Sequence, residues 1–209
     1  MTIFTVILVI IFLLPIDVFA EPPFYLTYKP GMYSPQSGAL DIGLSTEVAF
    51  GYRFNQNIAA EFGLGYFNTE KEVTAVGATY VVRENFDIDV VPMTLTLKAI
   101  LPYKRWELFG LAGGGVYIVS GPYDYYYYDY YYYDYEYDDY DAVLGGYLGG
   151  GIHYNITPNN IRPSIFVGVE GKYLWTDKAK LRDEAYGIPL EARFKMDGII
   201  ATAVFGIRF

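Results

Sequence analysis

Ile199-Ile200-Ala201-Thr202-Ala203-Val204-Phe205-Gly206-Ile207-Arg208-Phe209 closes the sequence. Counted back from Phe209, residues Ile207, Phe205, Ala203, Ala201 and Ile199 share one face of an extended strand. Arg208, Gly206, Val204, Thr202 and Ile200 share the other. The first face is wholly apolar, and the strand stops on an aromatic residue with no polar tail. In water such a strand would be an adhesive edge. As the last strand of a barrel in a lipid bilayer it has every backbone group paired and its apolar face in the acyl chains.

The same alternation recurs upstream. In 41–54, Ile42, Leu44, Val48, Phe50, Tyr52 and Phe54 share a face with Thr46, opposite Asp41, Gly43, Ser45, Glu47, Ala49, Gly51 and Arg53. In 58–67, Ile58, Ala60, Phe62, Leu64 and Tyr66 oppose Ala59, Glu61, Gly63, Gly65 and Phe67. Large apolar residues against small or charged ones is the pattern of a membrane barrel; a soluble barrel inverts it. Eight segments fit as strands: 24–33, 41–54, 58–68, 87–101, 106–120, 143–154, 161–175 and 197–209. The turns at 55–57, 102–105 and 155–160 are short. The connections at 69–86, 121–142 and 176–196 are long, and 34–40 is intermediate. Short turns at one end and long loops at the other are expected of an outer membrane barrel. The expected fold is all-β: an eight-stranded antiparallel transmembrane up-and-down β-barrel. Segment 106–120 is apolar on both faces, which leaves its facing open, and Pro92 predicts a bulge or irregular register in the fourth strand.

Residues 2–15 are almost wholly apolar but short of the roughly 20 needed for a helical span. Val18 and Ala20 suit a signal peptidase site, so residues 1–20 read as a cleaved signal peptide and 21–209 as the barrel domain. The alternative is an uncleaved inner-membrane anchor. The chain has no Cys, hence neither disulfides nor a lipoprotein anchor. Its net charge is −9; losing residues 1–20 removes one acid, Asp17, and no base, leaving −8. That balance argues against a nucleic-acid partner. With the signal peptide, it predicts the outer membrane of a Gram-negative bacterium. There the partners would be outer membrane lipid, lipopolysaccharide and the barrel assembly machinery, and the barrel would be a monomer.

Several stretches resemble the small OmpA/OmpX/OmpW-like outer membrane β-barrel family, often labelled porin-like. They are Ala49-Phe50-Gly51-Tyr52-Arg53-Phe54 with Ala59-Ala60-Glu61-Phe62, then Val91-Pro92-Met93-Thr94-Leu95-Thr96-Leu97-Lys98, Leu111-Ala112-Gly113-Gly114-Gly115-Val116-Tyr117, and the terminal Phe-Gly-Ile-Arg-Phe. The resemblance implies an eight-stranded barrel inserted from the periplasm, with the terminal aromatic strand and its Phe209 as assembly signal. Members of that family include passive barrels, adhesins, stress-linked proteins and small hydrophobic-solute channels, so the resemblance leaves activity open.

Strand parity turns Lys29, Asp41, Glu47, Arg53, Glu61, Lys98, Glu170, Lys172 and Arg208 inward. A barrel of eight strands is just wide enough for its own side chains. Charges inside must therefore pair, because an isolated buried charge is very costly. Hairpin geometry brings Lys29 near Glu47, and Glu61 near Arg53 and Lys98. Two readings follow: a closed, salt-bridged lumen, with the outer loops serving surface interaction or envelope integrity, or a narrow channel for ions or small hydrophobic solutes. His153 is the only histidine, and no Ser neighbours it on its face, so no enzymatic activity is expected. One His and no Cys also exclude a conventional zinc site. Aromatics at strand ends (Phe24, Phe54, Tyr103, Trp106, Tyr154, Trp175 and Phe209) suit an interfacial girdle.

Loop 122–141 holds half of the 24 Tyr, with seven acids and no base. It reads as a repeat-expanded variable loop, as a hairpin extending the flanking strands, or as a recognition surface. No cofactor is expected beyond weak Ca²⁺ or Mg²⁺ at its carboxylates. Lys178, Lys180, Arg182, Arg193 and Lys195 in 176–196 could face this loop, lipopolysaccharide or solvent.

Overall fold

The structure, a computed structural model, describes residues 23–36, 40–76, 81–121, 139–157, 163–185 and 188–209. The expected signal peptide and the Tyr/Asp stretch 122–138 lie outside these residues.

Ten strands form. They are β1 (Phe24–Pro35), β2 (Gly43–Arg53), β3 (Ile58–Val76), β4 (Val81–Tyr103), β5 (Trp106–Gly121), β6 (Asp139–Asn155), β7 (Ser164–Thr176), β8 (Ala179–Ala185), β9 (Ile188–Phe194) and β10 (Gly198–Arg208). Eight of them close an antiparallel barrel in the order β1-β10-β7-β6-β5-β4-β3-β2, and β8 with β9 makes a separate two-stranded sheet. Closure comes from β10 on β1, where Tyr25 pairs with Arg208 and Pro35 with Gly198. Every strand of the barrel thus has a neighbour on both sides, which removes the free edge.

The turns at the short end follow from their residues. The side-chain oxygen of Asn55 accepts the amides of Asn57 and Ile58, both at 2.8 Å, and so mimics a backbone turn. Tyr103 pairs with Trp106 across a two-residue turn whose first residue, Lys104, has φ of 57°, the positive backbone angle such hairpins require. The oxygen of Thr157 accepts the amide of Ile165 at 2.6 Å at the start of the third connection.

At the other end three expectations are corrected. The connection 69–86 is largely a ladder, because β3 and β4 stay paired out to Val76 and Val81. The connection 121–142 loses its ends to strands, since Gly121 pairs with Asp139 and Val119 with Asp141. Segment 176–196 holds the β8–β9 hairpin. Val, Thr and Tyr favour strands, and the charges between them keep a paired ribbon soluble outside lipid. Pro92 makes no bulge: the register from Leu64–Met93 resumes unshifted at Phe67–Val90, and Pro92 stays opposite Tyr117 on β5. Asp41 is not lumenal. It precedes β2, is exposed, and donates its amide to Glu70.

The wall is inverted relative to a soluble protein. Leu26, Leu44, Phe50, Phe62, Leu64, Leu95, Leu97, Leu108, Leu144, Leu148, Val169, Ile199 and Phe205 all stand exposed on the outside. At the short-turn end Phe24, Phe54, Tyr103, Trp106 and Phe209 are exposed, with Phe24 stacked on Phe50 at 5.6 Å and Trp106 against Tyr154 at 4.7 Å. Trp175 and Tyr173 mark the opposite end. An apolar band bounded by aromatic residues is the surface a bilayer requires. Among the described residues no helix is long and apolar enough to cross a membrane.

Candidate functional site: the lumen

The interior is filled in three layers. Toward the long-hairpin end it is apolar: Tyr33, Phe67, Ile88, Val90, Val119, Leu174, Met196 and Ile200 are buried, and the rings of Tyr33 and Phe67 lie 4.7 Å apart. Leu181 of β8 and Met196, in the link from β9 to β10, belong to the same core.

The middle layer is ionic. Lys29 of β1 reaches Glu47 of β2 at 2.8 Å, Glu61 of β3 at 2.9 Å and Glu170 of β7 at 3.4 Å. Lys98 of β4 reaches Glu61 at 2.7 Å and Glu170 at 2.9 Å. Lys172 of β7 reaches Glu47 at 2.6 Å. Three cations and three carboxylates balance, and each carboxylate serves two lysines. The pair Lys29–Glu47 is a direct cross-strand neighbour. Lys98 and Glu61 also stand on neighbouring strands, β4 and β3, while the remaining contacts cross the lumen, for β1 pairs with neither β3 nor β7, and β7 with neither β2 nor β4. Aromatic faces take up remaining positive charge, with Lys98 4.6 Å from the centre of the Phe109 ring and Lys172 4.9 Å from that of Tyr147.

The third layer lies at the short-turn end. Arg53 of β2 and Arg208 of β10 converge on one carboxylate, Glu107 of β5; Arg53 Nη1 is 3.0 Å from Glu107 Oε1. Arg208 also donates to Asn155 at 2.8 Å and lies over the Phe166 ring. A small cavity bordered by Arg53, Lys98, Glu107, His153 and Arg208 has room for about one water molecule. His153 is wedged between Phe109 and Phe166, with Nδ1 3.9 Å from Glu107 and Nε2 buried without a hydrogen-bond partner among the described residues.

Of the nine residues singled out from parity, all but Asp41 point inward, and the two layers gather those eight. Glu61 is held by Lys29 and Lys98, while Arg53 reaches Glu107, a partner that sequence reasoning missed. Its signal was present but ambiguous: Glu107 is the one charge in an otherwise apolar segment, and only the pairing of β5 with β4 and β6 settles that it faces in with Phe109 and Leu111. Phe209 lies just past β10 with its amide on the Phe24 carbonyl at 3.1 Å. Glycines make the room these layers need. A Cβ on Gly206 would stand 2.0 Å from the Phe166 ring, and one on Gly51 2.1 Å from that of Tyr25.

Neither a known protein family nor a curated protein matches this sequence. Solved structures do. Neisserial surface protein A (NspA) is 13% identical, with 91% of this chain and 99% of that one covered and a TM-score of 0.56. This chain has the fold of a small outer membrane β-barrel. The N-terminal barrel domain of Pseudomonas aeruginosa OprF (9% identity, 90% and 99% covered, TM-score 0.41) and Ail of Yersinia pestis (14%, 90% and 98%, TM-score 0.44) are similar more loosely. The inverted wall, the aromatic residues toward both ends and this fold mark an outer membrane protein, with three short turns at one end of the barrel and the long hairpins at the other.

Proposed function

We propose that this outer membrane barrel is non-enzymatic, that its lumen is shut, and that its outer hairpins do its work at the cell surface or in holding the envelope together. The observation that carries this reading is the ionic layer. Six charges braced from five strands across a lumen this narrow leave no continuous path, and the apolar layer beyond them adds a second barrier. The one histidine is packed between two phenylalanines beside a carboxylate already shared by two arginines, which gives it neither a nucleophile to activate nor space for a substrate. The alternative of a narrow channel requires the ionic layer to part, since the small cavity at the short-turn end stops at Lys98. Planar-bilayer recording of the refolded protein tests this directly. We expect no steady conductance; a stable open level in the parent protein would replace a shut barrel by a channel.

A further inference from the structure

The β8–β9 hairpin stands apart from the barrel wall. Among the described residues its two strands pair with each other and with no barrel strand. Two irregular links join it to the wall, 177–178 after β7 and 195–197 before β10. The foot of the hairpin is clasped. Thr176, the last residue of β7, accepts the amide of Met196 on its hydroxyl at 3.0 Å and donates its own amide to the Asp197 carboxylate at 2.8 Å. The amide of Asp177 is fixed to the Leu144 carbonyl of β6 at 2.9 Å. The hairpin therefore rises as one piece from a narrow base.

From that base it packs inward. Ala179 and Phe194 are cross-strand partners, and with Leu181 they form a buried apolar face that belongs to the core. A Cβ on Gly121, the last residue of β5, would stand 3.1 Å from Leu181 Cδ1. This face thus reaches two strands around the rim from β7. Where β8 passes β6, the contact is made by a side chain. Asp141 Oδ2 accepts the amide of Lys180 at 2.7 Å, while Oδ1 accepts that of Ala142 at 2.9 Å. A carboxylate stands where a continued sheet would offer a backbone carbonyl.

A second feature opposes this packing. Tyr33 of β1 is fully buried in the apolar layer, and its hydroxyl has no hydrogen-bond partner among the described residues. Its ring lies against Gly198, where the link from β9 enters β10; a Cβ there would stand 2.8 Å from Tyr33 Cε2. A hydroxyl buried without a partner costs free energy that contact with water returns.

We propose that the β8–β9 hairpin is a flap that opens as a unit on the links 177–178 and 195–197, latched shut by Asp141 and biased toward opening by the Tyr33 hydroxyl. Proteins open locally at free energies below that of global unfolding, in units that follow supersecondary structure, and a hairpin outside the barrel ladder is such a unit. Open, the flap admits water to the apolar layer around Tyr33. The inference goes beyond the shut lumen and does not depend on it, since the ionic layer lies beneath the part that moves.

The chain has no cysteine, so a single introduced thiol reports alone. Ala179→Cys, on the buried face of the flap, and Ala49→Cys, buried on the inner face of β2, are each refolded in micelles, and their reaction with a water-soluble maleimide is timed. Ala179→Cys should react far more slowly than a free thiol and many-fold faster than Ala49→Cys, which waits for the whole barrel to open. Adding Asp141→Ala should speed the reaction of Ala179→Cys by about tenfold, the equivalent of one hydrogen bond to a charged group. Asp141→Asn, which keeps one acceptor, should fall between. Adding Tyr33→Phe should slow the reaction several-fold. If Ala179→Cys does not refold, Leu181→Cys reads the same face. Equal rates at the flap and at Ala49→Cys would make the hairpin a fixed part of the barrel, and a free-thiol rate at Ala179→Cys would mean that it never closes. A rate unmoved by Asp141→Ala would overturn the latch, and one unmoved by Tyr33→Phe would overturn the bias.

Discussion

Glu61 shows how the lumen distributes its charge. It is 1% exposed and lies between Lys29 and Lys98, each of which also reaches Glu170. Glu61→Ala leaves three buried lysines sharing two carboxylates. Breaking a buried pair costs roughly 3–5 kcal/mol, and the low end is expected because both lysines keep a second partner. The denaturant midpoint of the refolded barrel should fall accordingly, and an unchanged midpoint would remove the ionic layer from the account of stability. Gly206 makes the complementary point about space. The Phe166 ring occupies the volume a side chain would need, so Gly206→Ile forces the ring off its position under Arg208. We expect that variant to unfold at distinctly lower denaturant than the parent. The inward direction of Lys29, Glu47 and Arg53 was legible from alternation alone. Their partners across the barrel were not, because Lys172 meets Glu47 only once strand tilt and stagger are fixed, and two-residue periodicity carries neither.

At the scale of elements, strands with one charged and one apolar face were easy to read, and those departing from that pattern were not. β2 alternates from end to end, whereas β5 is apolar on both sides, which hid Glu107. The outer ends of β3 and β4 were read as loop because their charges and turn residues obscure a ladder that continues beyond the membrane. Between β7 and β8 the parity shifts, with Thr176 buried, Asp177 and Lys178 both exposed, and Ala179 buried again, so a fixed alternation fails at that point. The segment carried between Gly121 and Asp139 belongs here too. It has no aliphatic residue from Tyr123 to Asp138 and offers the barrel little to pack. Replacing 123–138 by a short Gly/Ser linker should leave the heat-dependent mobility shift of a folded barrel intact on electrophoresis. It should also abolish any Ca²⁺-dependent change in Tyr fluorescence, since the spread-out carboxylates offer at most weak sites. Loss of folding in the replaced protein would make the segment part of the barrel's structure.

For the whole molecule, closure depends on β10 joining β1 as well as β7, so the last strand completes both ladders together. Phe209 stands at that seam, exposed toward lipid beside Phe24, whose carbonyl its amide meets. A charge there would have to enter the aromatic belt during insertion. Phe209→Asp should therefore lower the amount of protein reaching the outer membrane in cells while leaving lumen contacts of any inserted barrel unchanged. Normal membrane levels of that variant would deny Phe209 a part in assembly. The overall architecture was the most legible level of all, because an apolar outer face and a filled polar interior impose themselves on nearly every strand.

The buried ionic layer also bears on the journey before folding. A chain bound for the outer membrane must first cross the inner one, where a run of roughly 20 apolar residues would be retained as a helix. Lys29, Glu47, Glu61, Lys98, Glu170 and Lys172 each interrupt one of the hydrophobic strands β1, β2, β3, β4 and β7, so none of these strands offers such a run. Until the barrel forms they are solvated and keep the exported polypeptide dispersed in the aqueous compartment. The charges that brace the finished lumen thus also keep the strands that carry them from reading as membrane helices in the unfolded chain.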